Sequence, residues 1–286
     1  MAQPRNAIAK VVVFLAQFAF ALIIVASDSL PSPVQTAPLL GSQVAVTDYA
    51  QAVAQAAAWA AAGDQPRAIA AANTHVIALA RSDAQFGEAL RNFDLVLPDG
   101  MPLVWALNRQ LEKPLRDRVY GPTFMLRCLE ATQGEAWKHA FIGGTDELLA
   151  ALRAKLLERF PALQIADMYS PPFGQWPEDE DRRIIERIRQ SRAQFVWLGL
   201  GCPKQELWLA RNKPQLPPGV YGAVGAAFAF HAGRVKQAPA WMQRSGLEWA
   251  FRLAAEPRRL WRRYCVYNTL FVYYLALDRF RRQRSP

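Results

Sequence analysis

The stretch Gly199–Trp208, with the sequence GLGCPKQELW, combines residue types that suit the binding of an anionic ligand. It follows the apolar run Phe195–Leu198, and an amphipathic segment begins just beyond Pro203. This pattern predicts a buried strand, a glycine turn and a helix. The free N–H groups at a helix N-terminus attract anions such as a diphosphate, and Lys204 and Gln205 would add a cation and an amide. Taken alone, the stretch matches neither the dinucleotide fingerprint nor the P-loop.

Other elements must bring this turn together with further ligand-binding groups. From about residue 39 onward, short apolar runs alternate with amphipathic segments. This alternation predicts an α/β fold, with a mostly parallel Rossmann-like sheet flanked by helices. Ligands of such sheets gather at the carboxyl ends of the strands. The groups that we expect there are Asn73, Asp99 with Gly100, Gly143 with Gly144, the turn 199–205 and the segment after Gly225.

Composition and charge limit the class of protein. The 286 residues are 52% hydrophobic and 20% charged, which is typical of a folded protein. The net charge is +10, and residues 244–286 hold ten arginines against three acidic residues. Such a basic end suits phosphates on nucleic acid, on anionic lipid or on a diphosphate substrate. The three cysteines and three histidines are scattered, so neither a zinc site nor a disulfide framework is indicated, and a reducing compartment is the simplest interpretation.

The sequence divides into three predicted parts. Residues 1–37 contain the apolar run Val11–Ala26 behind Arg5 and Lys10, followed by a Ser/Pro-rich linker. This layout is typical of a signal sequence or signal anchor, although the run is short for a membrane span. The alternatives are a loosely attached apolar helix or an overextended start. Residues 38–240 are the predicted α/β domain.

Residues 241–286, which we call the C-terminal appendage, form the third part. The pattern is helical, with arginines interleaved among tryptophan, tyrosine and phenylalanine, and Pro257 is expected to begin a new helix. Such helices fit an appendage that associates with an anionic membrane surface. They equally fit a helical layer packed on the sheet with a solvated basic face.

Five motifs in this sequence resemble the WecG/TagA/CpsF family of bacterial glycosyltransferases in both order and spacing. They are DLVLPDGMPLVWA (94–106), RVYGPTF (118–124), FIGG (141–144), GLGCPKQELW (199–208) and GAAFAFHAGRVKQAPAWMQRSGLEWAFRLAAEPRRLWRRY (225–264). The first 37 residues lie outside the match. Any single motif is weak, but the set is specific.

The resemblance implies an inverting transfer of a sugar from a UDP-sugar to a polyprenyl-diphosphate-linked saccharide acceptor. It places the enzyme peripherally at the cytoplasmic face of the inner membrane and implies a reaction that needs no metal or cofactor. The residues agree with this expectation, because we identify no Asp-x-Asp motif of the type that holds a metal with a nucleotide-sugar. Branches of the family use N-acetylmannosamine, its uronate or a hexose, and the form of residues 120–123 favours the hexose-using exopolysaccharide branch. No recognised nucleic-acid motif is present, so we expect no nucleic-acid partner. A homo-oligomer is left open.

The resemblance also suggests the catalytic groups. Asp99 would be the general base, because inverting transfer needs a carboxylate near the acceptor hydroxyl. Its alternative role is that of a turn aspartate before glycine. Arg118 would neutralise the leaving diphosphate or hold the acceptor phosphates. Its alternative role is a surface salt bridge with Asp117 or Glu112.

The remaining candidates bind substrate, and two departures from the family pattern stand beside them. The expected donor-site residues are Gly143, Gly144, Gly199, Gly201, Lys204 and Gln205, and Asn73 and Gly100 are further expected substrate-binding residues. Of Arg252, Arg259 and Arg262, at least one is expected to touch the lipid-linked diphosphate. Ala71 and Ala229 stand where the family commonly has threonine and aspartate. They motivate a second hypothesis, a non-catalytic protein that binds nucleotide-sugar or lipid phosphate.

Overall fold

A six-stranded parallel sheet forms the centre of the molecule, as the strand–helix alternation predicts. The computed structural model describes residues 33–134, 137–174, 176–177 and 179–284, so the apolar run 11–26 lies outside the described residues. The strand order is β4-β3-β8-β7-β5-β6, with every neighbouring pair parallel. The strands are β3 (Pro66–Ala72), β4 (Leu95–Pro98), β5 (Lys138–Ile142), β6 (Gln164–Tyr169), β7 (Phe195–Leu198) and β8 (Gly219–Ala223).

A small antiparallel hairpin, which the sequence pattern did not predict, precedes the sheet. Its strands are β1 (Thr36–Leu39) and β2 (Ser42–Ala45). Leu40 and Gly41 form its turn, and both have positive φ angles. Leu39 and Val44 are buried against the core, so the hairpin covers apolar residues on one side of the domain.

Twelve α-helices and one short 3₁₀ helix, Lys213–Gln215, are present in the described part of the chain, and the α-helices are numbered in chain order. They are α1 (Tyr49–Ala62), α2 (Thr74–Ser82), α3 (Ala84–Arg91), α4 (Met101–Leu107), α5 (Gly121–Ala131), α6 (Asp146–Arg159), α7 (Glu180–Ser191), α8 (Lys204–Asn212), α9 (Ala227–His231), α10 (Ala240–Arg244), α11 (Glu248–Ala255) and α12 (Pro257–Arg284). Pro257 begins α12, as expected, because proline lacks the N–H that a helix interior needs. The helix α3 was not predicted.

Two apolar layers hold the helices against the sheet. Alternate residues of β7 face opposite layers, with Phe195 and Trp197 in one and Val196 and Leu198 in the other. The first layer packs the sheet against α1, α5, α6 and α9, and the second packs it against α2, α3, α7 and α8. Since both faces are covered, β4, β7 and β8 are buried along their whole length, whereas the edge strand β6 is not.

The appendage consists of α10, α11 and α12 and is attached differently. The Asn268 carboxamide accepts a hydrogen bond from Thr74 at 2.7 Å, and Tyr267 makes an edge contact with His75, with ring centroids 4.4 Å apart. Phe271 of α12 is buried in the second layer. By contrast, the residues of α10 and α11 are half-buried or exposed. Within the described residues, none of the helices combines the length and apolar character that a membrane crossing requires.

Candidate functional site

A cleft of about 1240 Å³ opens at the carboxyl ends of the parallel strands, between the sheet and the appendage. It is bordered by the loops that follow all six strands, β3 to β8. The predicted site residues that line it are Asn73, Asp99, Gly100, Arg118, Gly143, Gly144, Gly199, Gly201, Lys204, Gln205, Arg252 and Arg259. Among the predicted residues, Arg262 alone lies outside the cleft lining, and its side chain is exposed.

Asp99 follows the last residue of β4 and is half-buried at the cleft wall. Its backbone N–H donates to the Ala72 carbonyl at 2.8 Å, which continues the sheet by one residue. Its Oδ1 accepts a 2.6 Å hydrogen bond from the backbone N–H of Gly121, the first residue of α5. Burial raises the pKa of Asp99, whereas the nearby Arg118 guanidinium and the Gly121 N–H act to lower it. The result is an oriented carboxylate with a pKa above the ordinary aspartate value, which suits a general base.

Arg118 is buried, and its guanidinium joins the loop before α5 to the appendage. It donates to the Asp99 backbone carbonyl at 3.2 Å and to the Gln243 side chain at 2.9 Å. It also forms a 2.6 Å ion pair with Glu248 of α11 and lies over the Tyr120 ring, 4.1 Å from its centroid. The predicted alternative, a surface salt bridge with Asp117 or Glu112, is therefore wrong, because Arg118 is buried and its partner is the carboxylate of Glu248, far away in the sequence.

The glycine turns after β5 and β7 touch each other backbone to backbone. Gly143 has a φ of 124°, and a β-carbon there would lie 2.6 Å from the Gly199 carbonyl carbon. A β-carbon on Gly199 would in turn lie 2.6 Å from the Phe228 ring. Glycine is therefore required at 143 for the two turns to meet, and at 199 to leave room for the Phe228 ring. This close approach leaves the backbone of both turns as the floor of the cleft.

The side chains of Lys204 and Gln205 are held by local contacts. The Lys204 ammonium donates to the Gly174 carbonyl at 3.0 Å and lies 3.8 Å from the centroid of the Trp176 ring. The Gln205 carboxamide accepts from the Gly201 N–H at 3.2 Å and donates to Glu206 at 2.9 Å. Gln205 thus stabilises the turn, and its predicted contact with sugar or uracil stays a prediction.

A model of the WecG/TagA/CpsF glycosyl transferase family matches residues 37–285. The chain belongs to this family. Two relatives are named N-acetylglucosaminyldiphosphoundecaprenol N-acetyl-beta-D-mannosaminyltransferase, from Staphylococcus aureus strains NCTC 8325 / PS 47 and COL. Each is 26% identical to this chain over 208 residues, which cover 73% of this chain and 79% of the relative. The family resemblance inferred from the five motifs is confirmed.

The arginines of this glycosyltransferase differ in their access to the cleft. Arg252 lines it, with its guanidinium carbon 5.3 Å from the Phe230 ring centroid. Arg259 also lines it and pairs with Glu256 at 2.8 Å. Arg263, which we did not predict, lines the cleft where Arg262 does not. The sequence analysis selected the correct turn of α12, but only the structure shows which of the two consecutive arginines, 262 or 263, faces the cleft.

Other cleft residues were missed by the sequence analysis. Tyr120 lies within the RVYGPTF motif and donates through its hydroxyl to Glu248 at 2.9 Å. Glu206 lies within the GLGCPKQELW motif and is wholly buried, and burial raises its pKa. The two motifs could have pointed to these residues as members of the site. The pairing of Tyr120 with Glu248 could not be predicted in the same way, because it joins residues 128 positions apart.

The two alanines that depart from the family pattern both face the cleft. Ala71 lines it beside Gly121, where an added β-carbon would lie 2.7 Å from the Ala71 side chain. Ala229 lines it between the aromatic residues 228 and 230. The glycosyltransferase therefore presents methyl groups at both positions, and a hydroxyl and a carboxylate are replaced by apolar surface.

An Asp-x-Asp spacing does occur in the chain, contrary to our expectation. Asp179 and Asp181 lie where α7 begins. Asp179 pairs with Arg183 at 3.2 Å, and Asp181 accepts a hydrogen bond from the Trp208 indole at 2.9 Å. Both lie outside the cleft lining, so this spacing belongs to the attachment of α7 and α8.

Proposed function

We propose that this protein is an inverting glycosyltransferase that moves a sugar from a UDP-sugar to a saccharide carried on polyprenyl diphosphate. One observation carries the proposal: the carboxylate of Asp99 lies in a cleft between backbone turns on one side and appendage arginines on the other. These are the parts that a transfer between two diphosphates needs, namely a base, N–H donors and cations. The names of the staphylococcal relatives, which state a diphospholipid-linked acceptor, support the acceptor class.

The proposed reaction has a single displacement step. Asp99 accepts the proton of the acceptor hydroxyl, and the hydroxyl oxygen forms a bond to the anomeric carbon of the donor. The bond from that carbon to the UDP oxygen breaks, and UDP leaves with the bonding electron pair. Attack from the side opposite to the leaving group inverts the anomeric centre. Arg118, Arg252 and Arg259 provide the positive charge that stabilises the diphosphate as it departs.

The donor sugar is proposed to be a hexose or an N-acetylhexosamine. Ala71 and Ala229 line the cleft with methyl groups, so a sugar that needs a hydroxyl or carboxylate partner there gains none. A buried polar site discriminates strongly between substrates, whereas an apolar wall discriminates weakly. The apolar wall thus offers no partner that would select N-acetylmannosamine, and the form of residues 120–123 favours the exopolysaccharide-type hexose donor.

We propose that the appendage, residues 241–286, attaches the 38–240 domain peripherally to the cytoplasmic face of the inner membrane. Trp241, Trp261, Tyr273 and Phe280 are each more than half exposed on the appendage. Exposed aromatics beside arginines suit the interface of an anionic bilayer. Because aromatic burial is not screened by salt, we expect high salt to release the protein from anionic vesicles only in part. Complete release in high salt would contradict this attachment.

A donor screen tests the proposed activity most broadly. The full-length protein would be incubated with a panel of UDP-hexoses and UDP-N-acetylhexosamines and a short polyprenyl-diphosphate-linked N-acetylglucosamine. We expect UDP release with one donor class, together with a lengthened lipid-linked product of inverted anomeric configuration. If no donor gives UDP although a UDP-sugar still binds, the proposed transfer is contradicted and a non-catalytic binding function is favoured.

The second candidate is a non-catalytic protein that binds nucleotide-sugar or lipid phosphate. It is favoured by Ala71 and Ala229, since both alanines remove polar groups from the cleft wall. This candidate predicts UDP-sugar binding by calorimetry without turnover. It also predicts that Asp99→Asn changes at most the affinity for the UDP-sugar, since there is no turnover to lose.

A further inference from the structure

The carboxylate of Glu248 joins two residues of the RVYGPTF motif across the boundary between the α/β domain and the appendage. Its Oε2 lies 2.6 Å from the Arg118 guanidinium, and its Oε1 accepts the Tyr120 hydroxyl at 2.9 Å. The Arg118 and Glu248 side chains are 8% and 13% exposed. One oxygen of this side chain thus accepts a hydrogen bond, and the other makes an ion pair with Arg118 without hydrogen-bond geometry, in a nearly dry environment.

A second side chain of the appendage supports the same guanidinium. The Gln243 carbonyl oxygen accepts from Arg118 at 2.9 Å, while its amide nitrogen donates to the Ala238 carbonyl at 2.8 Å. The other terminal nitrogen of Arg118 donates to the backbone carbonyl of Asp99 at 3.2 Å. The contacts therefore run without interruption from α11, through the guanidinium, to the residue that carries the candidate base.

We propose that Glu248 is a positioning residue: when the appendage is seated, its carboxylate fixes Arg118 beside Asp99 and so completes the catalytic site. This inference rests on the proposed function, in which Asp99 is the base and Arg118 faces the diphosphates. A buried guanidinium without its carboxylate would be free to turn away, because an unpaired buried charge seeks water or another anion. Closure of the appendage and placement of the guanidinium are then one event.

The charges around Asp99 provide a readout that a purely structural role would not move. The charged groups that act on Asp99 are Arg118, Arg252 and Glu248, and the titratable phenols nearby are Tyr49, Tyr120 and Tyr264. Burial raises the pKa of Asp99 most, the two arginines lower it, and Glu248 raises it. Removing only the Glu248 charge should therefore lower that pKa, whereas releasing Arg118 should raise it.

The test compares Glu248→Gln, Glu248→Ala and a matched control, Asp278→Asn. Asp278 also links the appendage to the α/β domain through an arginine, Arg81, at 3.7 Å, but it lies outside the cleft. In Glu248→Ala we expect kcat to fall on the order of 10²-fold, as for a reacting group misplaced by about 1 Å. Glu248→Gln should restore most of kcat and move the acid limb of the kcat/KM profile to lower pH. Asp278→Asn should leave both unchanged.

Two outcomes would overturn the inference. One is a lower donor KM with undiminished kcat in both Glu248 variants, which would mean that Glu248 competes with the diphosphate for Arg118. The other is an equal loss of kcat in Glu248→Gln and Glu248→Ala with no movement of the pH profile, which would mean a structural role alone.

Hydrogen exchange separates this inference from the proposed function. If wild-type protein transfers no sugar, the proposed function fails, but the contact between Arg118 and Glu248 can still be tested. We expect faster amide exchange in α11 in both Arg118→Lys and Glu248→Ala, and unchanged exchange in Asp278→Asn. Unchanged exchange in all three variants would overturn the inference independently of any activity.

Discussion

Different kinds of interaction stabilise the interior of the α/β domain and the attachment of the appendage to it. In the domain, all four residues of β7 are fully buried, and apolar layers cover both faces of the sheet. In the appendage, α10 and α11 bury little and carry exposed tryptophans, and their contacts with the domain include the buried Arg118–Glu248 pair. Burial of apolar area is non-directional, whereas ion pairs and hydrogen bonds require specific partners.

This difference has a functional consequence. The domain presents Asp99 and the glycine turns on a rigid sheet edge, while α11 supplies Arg252 and the carboxylate of Glu248 and buries no residue of its own. Segments with few buried apolar contacts open at lower free-energy cost than core strands. We therefore expect α10 and α11 to move when substrates enter, whereas α12 is anchored to the domain by Phe271.

The largest effect should come from a core tryptophan. Trp197→Ala removes a fully buried ring between the sheet and α5, where it also makes an edge contact with Phe124. We expect a loss of about 3–5 kcal/mol in the free energy of unfolding, because the cavity cannot close. The matched change in the appendage, Trp261→Ala, should alter it by less than about 0.5 kcal/mol and weaken binding to anionic vesicles. Chemical denaturation measures the first effect and vesicle flotation the second; equal losses of stability would contradict the comparison.

Acid should release the appendage before it unfolds the domain. Burial, with a smaller contribution from Arg263, lowers the pKa of His75 to about 3 at the contact with α12. In the undocked state His75 regains an ordinary pKa near 6.5, so docking is fully stabilised above that value and weakens as the pH falls towards 3. From pH 7 to pH 5 the loss should be about 2 kcal/mol.

The protection factors of the α12 amides at pH 7 and pH 5, which remove the pH dependence of intrinsic exchange, measure this loss. His75→Gln should abolish the pH dependence of docking. His139→Gln is the control, because His139 has a pKa of about 3 from burial inside the domain, away from the appendage. Equal protection factors of α12 at both pH values would contradict this role of His75.

A smaller effect should distinguish two neighbouring arginines of α12. Arg259 lines the cleft and Arg262 does not, although the family resemblance selected both. We expect Arg259→Gln to raise the donor KM about tenfold, as the loss of one charge-assisted hydrogen bond would. Arg262→Gln should leave KM unchanged and weaken vesicle binding only. A larger rise of the donor KM in Arg262→Gln than in Arg259→Gln would contradict this assignment and would indicate that α12 rotates when substrate binds.

Chelation should have the smallest effect. In the proposed reaction, arginines and backbone N–H groups neutralise the leaving diphosphate, so EDTA should leave UDP release unchanged. Restoration of lost activity by Mg²⁺ after EDTA treatment would contradict the metal-free proposal.

The sequence predicted the fold of the α/β domain well, because burial leaves a local pattern. The apolar run 195–198 appears in the structure as β7, and the predicted start of a helix at Pro257 appears as the first residue of α12. The hairpin β1–β2 was missed because two four-residue strands carry too short a pattern. The predicted N-terminal run lies outside the described residues.

The candidate site was predictable in its residues but not in their partners. Strand ends and family motifs selected Asp99 and Arg118 correctly as cleft residues. They did not reveal that Glu248 and Gln243 hold Arg118, since these pairs are separated by 130 and 125 positions and leave no local signature. Pairing across such distances is decided by the packing of α11, which periodicity does not specify.

The central claim, that Asp99 is the base of a glycosyl transfer, is tested most directly by UDP release from wild type, Asp99→Asn and Asp94→Asn. Asp94 is the matched control, because it precedes the same strand at its opposite end and pairs with Lys213 at 2.7 Å. We predict a 10²–10⁴-fold loss of kcat in Asp99→Asn, the usual contribution of a general base, and normal turnover in Asp94→Asn. Turnover by Asp99→Asn at the wild-type rate would contradict the assignment.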